Sequence, residues 1–367
     1  MKDQAIVRYA VVGAGHIAQH AVLPAFAHAD ENSQLCAIIS SDAKKRDVLG
    51  ETYGAAVGDY DELERIFAEG DIDAAYLAVP NTQHRELAER CAAAGVHVLC
   101  EKPLAMSAAD CEAMIDACTA GGVKLMCAYR LHFDEATLRA IALAHSGAIG
   151  EPRYVSSVFS QDVAPGNIRT QPGSGGGALY DLGVYCVNAA RCLFGAEPIL
   201  VYGTMSYGAD ERFSEVEEMA AATMRFADGQ IAQFICNQGT AGVDELHVVG
   251  TKGQVTLEPA FDYQKPLTMN AMVGGNEDET TFEVHDQFAP ELVYFSRCIL
   301  EDLEPEPSGD EGLGDVRVLE AIVESARTGM PVDLAPFDKR SRPTLDLAMH
   351  KPKPIEAKLV DASPPGR

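Results

Sequence analysis

The chain has 367 residues, 47% of them hydrophobic and 23% charged, a balance ordinary for a soluble globular protein and a length that allows two domains with ample core. Fifty-five acidic residues against 29 Lys plus Arg give a net charge of −26, a surface that repels nucleic acid and anionic membrane and argues against both as partners. The ten cysteines form no CxxC pair and have no His or Cys partner at zinc spacing, so reduced, buried thiols in a cytoplasmic protein are expected, with no metal.

A buried strand is predicted almost at once, over Ala5–Val12, with no signal peptide ahead of it and no apolar run long enough to span a bilayer. GAGHIA and a helical stretch over Ile17–Phe26 follow, then a strand at Leu35–Ile39 and a polar helix at Ala43–Tyr53. Tyr60–Glu69 reads as helix, Ala74–Val79 as strand, His84–Ala94 as helix and Val96–Cys100 as strand. Ser107 with Asp110 resembles a capping box for a helix to Cys118, and Lys124–Ala128 is a further strand. Strands alternating with helices at this pace predict a doubly wound parallel sheet over residues 1–128.

After Tyr129 the rhythm changes. A helix at Thr137–His145 leads to a strand at Arg153–Ser160 and then a loop containing glycine and proline. From Ile199 onward strands follow one another. Met219–Phe226 and Gln230–Cys236 flank an Asp228-Gly229 turn, and Leu246–Gly250 pairs with Gln254–Leu257. Pro290–Leu300 and Val316–Thr328 read as covering helices. Residues 129–335 are therefore expected to form an α+β domain with a large open, mostly antiparallel sheet, and the Pro- and Lys-rich residues 336–367 an irregular tail.

Gly13, Gly15 and Ala18 form GxGxxA between the first strand and the first helix. Gly13 permits the tight turn, Gly15 lets a pyrophosphate approach and Ala18 lets helix and strand pack closely, with the phosphates on the helix N-terminus. His16 and Ile17 then lie against the same dinucleotide. The second strand ends in Ser40 and Ser41, followed by Asp42, Lys44, Lys45 and Arg46. Hydroxyls followed by three cations suit a 2′-phosphate and favour NADP over NAD. A rotation of the loop that aimed Asp42 at the ribose would favour NAD instead. Pro80, Asn81 and His84 follow the third strand on the ligand-binding edge of the sheet, Pro80 beside the nicotinamide and Asn81 towards the ribose, while His84 serves equally well to pack its helix. Glu101-Lys102-Pro103 ends the next strand, where the lysine aims into the cofactor crevice and Lys-Pro can adopt a cis peptide.

The stretch Gly173–Gly195 opens with Gly175, Gly176 and Gly177 and becomes a helix on which Asp181, Tyr185, Asn188 and Cys192 share one face. The glycines let a ligand or a neighbouring backbone come close. An ammonium near a phenol stabilises phenolate and draws its pKa down from about 10, which makes Tyr185 an acid/base candidate with Lys102 as its partner. Asp181 is expected to orient a substrate hydroxyl or Lys102, Asn188 to be structural and Cys192 to pack. The loop around Asn167, Arg169 and Thr170 is expected to meet the substrate through Arg169.

GAGHIA, AVPNTQH, CEKPL, AYRLHF and GGGALYDLGVYCVNAARCLFG occur in the order and spacing that resemble the glucose-fructose oxidoreductase family, a group of sugar and cyclitol oxidoreductases with a Rossmann domain and an open-sheet second domain. The similarity runs from about Ala5 to Leu334, including ERFSEVEE and EGLGDVRVLEAIVESARTGMPV. It implies that Lys102 is catalytic, that Asp181 and Tyr185 match the helix pair D-x3-H/Y, and that Ser40 and Lys45 favour NADP. It also places Glu101 and Arg130 against the cofactor and Tyr129 near the substrate. The tyrosine version of the pair resembles the aldose-oxidising and dihydrodiol dehydrogenase branches. The expected activity is oxidation of an aldose at C1 to a lactone, with a second sugar able to reoxidise the cofactor. The alternatives are a dihydrodiol or polyol dehydrogenase, an NAD-dependent glycosidase and a non-catalytic NADP sensor. A homodimer or homotetramer through the open sheet is expected, because the outer face of that sheet needs a cover.

Overall fold

The computed structural model describes residues 5–208, 210–339 and 341–366. Strands β1 (Val7–Val12), β2 (Ser33–Ile39), β3 (Ala56–Gly58), β4 (Ala74–Leu77), β5 (His97–Glu101) and β6 (Leu125–Ala128) form a parallel sheet in the order β3-β2-β1-β4-β5-β6. Side chains alternate across it, as strand geometry requires. Tyr9, Val11, Ile38 and Tyr76 enter one core; Ala10, Val12, Ile39 and Leu77 enter the other. Burial on both faces is why these strands read as continuous apolar runs. The strand order reverses between β1 and β4, the switch point outside which such sheets bind ligands.

The helix Ala289–Leu300, from the second half of the chain, covers the Tyr9 face of this sheet. Tyr9 Oη lies 2.9 Å from Ser296 Oγ, and Asn32 Nδ2 donates to the Val293 carbonyl at 2.9 Å. Two details of the first half differ from expectation. Strand β3 was not predicted, because three residues at a sheet edge carry too little periodicity. The Tyr60–Glu69 helix is a 3₁₀ turn, Tyr60–Glu62, capped by Asp59 and followed by the helix Leu63–Gly70.

A second sheet has nine strands: β7 (Pro152–Asp162), β8 (Pro198–Ser206), β9 (Met219–Phe226), β10 (Ile231–Asn237), β11 (Gly239–Gly250), β12 (Gly253–Leu257), β13 (Leu267–Val273), β14 (Asn276–Phe282) and β15 (Val332–Asp333). Their order is β14-β13-β12-β11-β7-β10-β9-β8-β15, antiparallel throughout except that β7 runs parallel to β10. The helices Val184–Phe194 and Gly309–Thr328 pack against one face. The other leaves Tyr154, Tyr202, Ile231 and Ile235 each more than 40% exposed. Beyond residue 336 the described chain is irregular save for a 3₁₀ turn, Leu345–Leu347, and a bridge between Gly366 and Val163. All ten cysteines are free thiols, and nine are buried. Among the described residues no helix is long and apolar enough to cross a membrane.

Candidate active site

The turn after β1 has the geometry its glycines predict. Gly13 sits at φ +98°, where a Cβ would overlap the Ala78 carbonyl oxygen at the end of β4. A Cβ on Gly15 would meet no atom within 4 Å, so the turn presents open space in front of a helix start whose first N–H groups lack helical partners. That cradle fits a pyrophosphate. Ala18 is fully buried and Ile17 packs against the same core. The His16 ring stacks on His20 at 5.0 Å, and burial, with His20 and Arg169 adding to it, pushes its pKa down to about 4.

At the end of β2, Asp42 caps the helix Ala43–Tyr53, accepting from the Lys44 and Lys45 N–H groups at 2.9 and 3.2 Å. One carboxylate oxygen, Oδ1, is therefore committed to the helix start. Ser40 is buried, with its Oγ accepting from Asp42 N, whereas Ser41 is exposed. Arg46 is drawn off to Asp59 at 3.0 Å and Lys44 pairs with Asp361 at 2.9 Å. Among the described residues Lys45 has no acidic partner, which leaves its ammonium for an anion.

Two expectations about the cofactor edge are corrected. His84 is fully buried; its Nδ1 lies 3.0 Å from the Pro103 carbonyl and its Nε2 3.2 Å from that of Val79, so both ring nitrogens face backbone. It packs its helix and has nothing left for a dinucleotide. Glu101 turns its carboxylate inward to accept from Tyr76 Oη at 2.9 Å, and burial raises its pKa. Asn81, after Pro80, spends its amide N–H on the Gly175 carbonyl at 3.0 Å, tying this edge to the glycine loop.

The Lys102–Pro103 peptide is cis. Lys102 Nζ donates to the Asp181 carbonyl at 2.8 Å and to its carboxylate at 3.3 Å, leaving one of an ammonium's three protons uncommitted. The same nitrogen lies 4.5 Å from the centre of the Tyr185 ring. Burial would lower the lysine's pKa, but Tyr185, Asp181 and Glu101 around it raise it instead.

The helix Val184–Phe194 is preceded by a widened turn, Leu179–Gly183, in which Val184 N–H reaches back to the Leu179 carbonyl. Asp181 lies in that turn. Its carboxylate accepts from Lys102, from Arg169 Nε at 2.6 Å, from Gln238 Nε2 at 2.9 Å and from Gln161 Nε2 at 3.3 Å. Burial pushes the carboxyl up, yet Arg169 and Lys102 prevail and hold it down at about 2. Three of these donors fall on Oδ2 and Lys102 on Oδ1, so Asp181 holds Lys102 in place. One turn on, Tyr185 is half-buried between Phe159 and Phe261.

Arg130 lies beside Tyr185. It is buried, donates to Gln287 Oε1 and to the Phe261 carbonyl, and stacks its guanidinium 5.2 Å from the Tyr185 ring and 5.1 Å from that of Tyr263. It sits against the Tyr185 phenol. Burial would lower its pKa, and contact with the Tyr185 phenol is the largest influence raising it. Tyr129 is 2% exposed, donates to Asp315 and stacks on His132, so it has no face towards a substrate. Asn188 donates to Glu311 and Asp315 at 2.9 Å each, in a buried network with Arg191. Cys192 Sγ lies 3.9 Å from His132 Nε2, and His132, Cys192 and Glu311 form a compact cluster. Arg191 and Lys339 already place cations on Glu311.

The three glycines make room for protein. A Cβ on Gly175 would press on Met106 Sδ, on Gly176 on the Arg169 carbonyl, and on Gly177, at φ +115°, on the Glu217 carboxylate. Gly177→Ala is expected to cost about 1–3 kcal/mol through backbone strain and to loosen the Glu217 hold on Leu179 N–H. An unchanged melting temperature by calorimetry would contradict this.

With the geometry in place, comparison with known proteins is decisive. Residues 7–129 match the model of the oxidoreductase family with an NAD-binding Rossmann fold, and residues 137–256 match the GFO/IDH/MocA C-terminal domain. The chain belongs to the GFO/IDH/MocA oxidoreductase family. Among its relatives, a D-xylose 1-dehydrogenase [NADP(+)] of Haloarcula marismortui is 32% identical over 89% of this chain and 93% of its own. The aldose-aldose oxidoreductase of Caulobacter crescentus, solved with glycerol, is 38% identical with a TM-score of 0.86, over 90% of this chain and all of that one. A 3-ketoreductase of Actinomadura kijaniata, solved with NADP and TDP-benzene, is 25% identical with a TM-score of 0.80, over 87% and 98%.

For a GFO/IDH/MocA chain, the residues that the sequence left unread are Gln161, Gln238, Phe159 and Phe261. Gln161 and Gln238 reach Asp181 only because β7 and β10 pair in parallel, aligning Ser160 with Asn237. No local pattern marks them.

Proposed function

We propose that this chain is an NADP-dependent sugar dehydrogenase that oxidises an aldose at C1 to its lactone. The observation that carries the reading is a half-buried phenol, Tyr185, held between two fixed cations, Lys102 and Arg130, at the crevice that the Gly13–Gly15 turn opens. Names of relatives support the substrate class: two D-xylose 1-dehydrogenases using NADP(+), at 32% and 30% identity, and an aldose-aldose oxidoreductase at 38%.

The bound nicotinamide supplies the hydride acceptor for the C1 hydrogen and its electron pair. Tyr185, as the phenolate that the adjacent cations stabilise, accepts the proton of the anomeric hydroxyl and becomes the neutral phenol. Lys102, with one N–H uncommitted, donates to the sugar oxygen. Asp181 and Arg169 keep that lysine in place through the 2.6 Å ion pair behind it. One aldose and one oxidised cofactor thus yield one lactone, one reduced cofactor and one proton. A second sugar carbonyl in the same place takes the hydride back with Tyr185 as the acid.

Lys45 is assigned to the 2′-phosphate. Lys45→Ala is expected to weaken NADP binding about tenfold or more while leaving NAD binding unchanged. Titration of both by fluorescence checks this, and equal weakening would contradict it. The exposed apolar face carrying Tyr154, Tyr202, Ile231 and Ile235 is assigned to a homodimer or homotetramer. The reading as a whole is tested by supplying NADP with a panel of aldoses and polyols while following reduced-nicotinamide absorbance and lactone. Aldoses are expected to give both; reduction by polyols alone would overturn it.

A further inference from the structure

The Pro- and Lys-rich tail has no part in the chemistry above, yet its course is specific. Met349 N–H donates to the Phe133 carbonyl at 3.1 Å, the Pro352 carbonyl accepts from Asp286 N–H at 3.0 Å, and Lys351 pairs with Glu31 at 2.5 Å. The chain then reaches the phosphate turn. Gln19, fully buried on the helix after GxGxxA, donates from Nε2 to the Ala14 carbonyl at 2.8 Å and to the Val360 carbonyl at 3.0 Å. Its Oε1 accepts from Val360 N–H at 2.7 Å. Val360 is 8% exposed and lies in one core cluster with Ala14 and Ala18. Asp361 takes Lys44, the first cation after the ribose-binding end of β2.

From there the chain crosses to the second sheet. The Pro365 carbonyl accepts from Ala164 N–H at 2.8 Å, and Gly366 bridges to Val163, on the segment that leads to Arg169. The six Cα-to-Cα steps from Val360 to Gly366 span at most about 21 Å, so residues 360–366 form a short tie between the Gly13–Gly15 turn and the substrate loop. The tie is fastened to the phosphate turn through Gln19, which bonds the Ala14 carbonyl, and to Lys44 beyond β2.

We propose that residues 360–366 are a third wall of the dinucleotide site, a strap that bound NADP must displace to leave. Side-chain pairing within the strap serves the same end: Lys44 holds Asp361 on the rim of the subsite where Lys45 meets the 2′-phosphate. This inference rests on the dinucleotide reading and is independent of which sugar is oxidised.

The test uses NADPH release from the full chain, with no sugar present. In Val360→Asp a charge replaces a buried side chain and expels the strap, and release of NADPH, followed by fluorescence after chasing with excess NADP, is expected to be about 10- to 30-fold faster. A melting curve of the apo variant verifies its fold. Trypsin supplies a second readout on the natural chain. Lys351 and Lys353 each precede proline, which trypsin spares, and the exposed Lys358 precedes Leu359, so cutting at Lys358 reports strap opening. NADPH is expected to slow that cut at least tenfold. Release as fast in the natural chain as in Val360→Asp, or cutting at Lys358 indifferent to NADPH, would overturn the strap while leaving the sugar reaction standing.

Discussion

Tyr185→Phe is expected to lower turnover of aldose by roughly 10²-fold or more while leaving the binding of NADPH unchanged, because the phenol is the one group at the crevice placed to take the hydroxyl proton. The ring's packing against Phe159 and Phe261 is retained by Phe, so the variant should fold and its losses belong to the oxygen. The loss should fall in kcat and kcat/KM alike, the pattern of an interaction made in the transition state. A Phe variant that turns over at near the natural rate would remove Tyr185 from the chemistry.

Asp181→Ala is the second large effect, and it reports on stability as well as on rate. The carboxylate neutralises two cations, Arg169 and Lys102, inside a half-closed site, and its side chain is only 14% exposed. Removing one partner of such a cluster leaves the others uncompensated, at about 3–5 kcal/mol when burial is complete and less here, where some solvent enters. Unfolding in urea measures the loss. The acid side gives an independent check. Asp181 is held at about 2 in the folded chain, below its ordinary value of 3.8. Its contribution is therefore fully present above about pH 4 and is lost as pH falls through 2. The difference in stability between the natural chain and Asp181→Ala should shrink across that window. A difference that stays constant, or grows, would show that the carboxylate is not the ionised partner of Arg169 and Lys102.

The parts of this site legible in the sequence are those set by local geometry. GxGxxA between a strand and a helix marks Gly13, at φ +98° against Ala78, Gly15, which keeps the turn open, and the buried Ala18. Lys102 at the end of its strand and Tyr185 one turn from Asp181 follow from the same strand and helix periods. What sequence could not supply was the assignment of partners at long range. Tyr129 and Arg130 are neighbours in the chain, yet one donates to Asp315 and the other stacks beneath Tyr185. That division depends on how the helix Gly309–Thr328 and the Phe261 segment close over them. His84 looked like a ligand by position and is a core histidine by its carbonyl neighbours. The glycine triplet could admit a ligand or a neighbouring backbone, and in the structure Met106, the Arg169 backbone and Glu217 lie against it. Strand β14 went unread because its charged, exposed residues such as Glu277, Asp278 and Glu279 hide the alternation that marks a buried strand.

The central claim is that a hydride leaves C1 of an aldose for NADP while Tyr185 takes the hydroxyl proton. An aldose carrying deuterium at C1, incubated with the protein and NADP, tests it most directly by mass spectrometry of the nucleotide and the sugar product. The expected result is NADPH that carries the deuterium and a lactone that has lost it. Deuterium retained at C1, or released to water with the nucleotide unlabelled, would contradict the reaction proposed for this site.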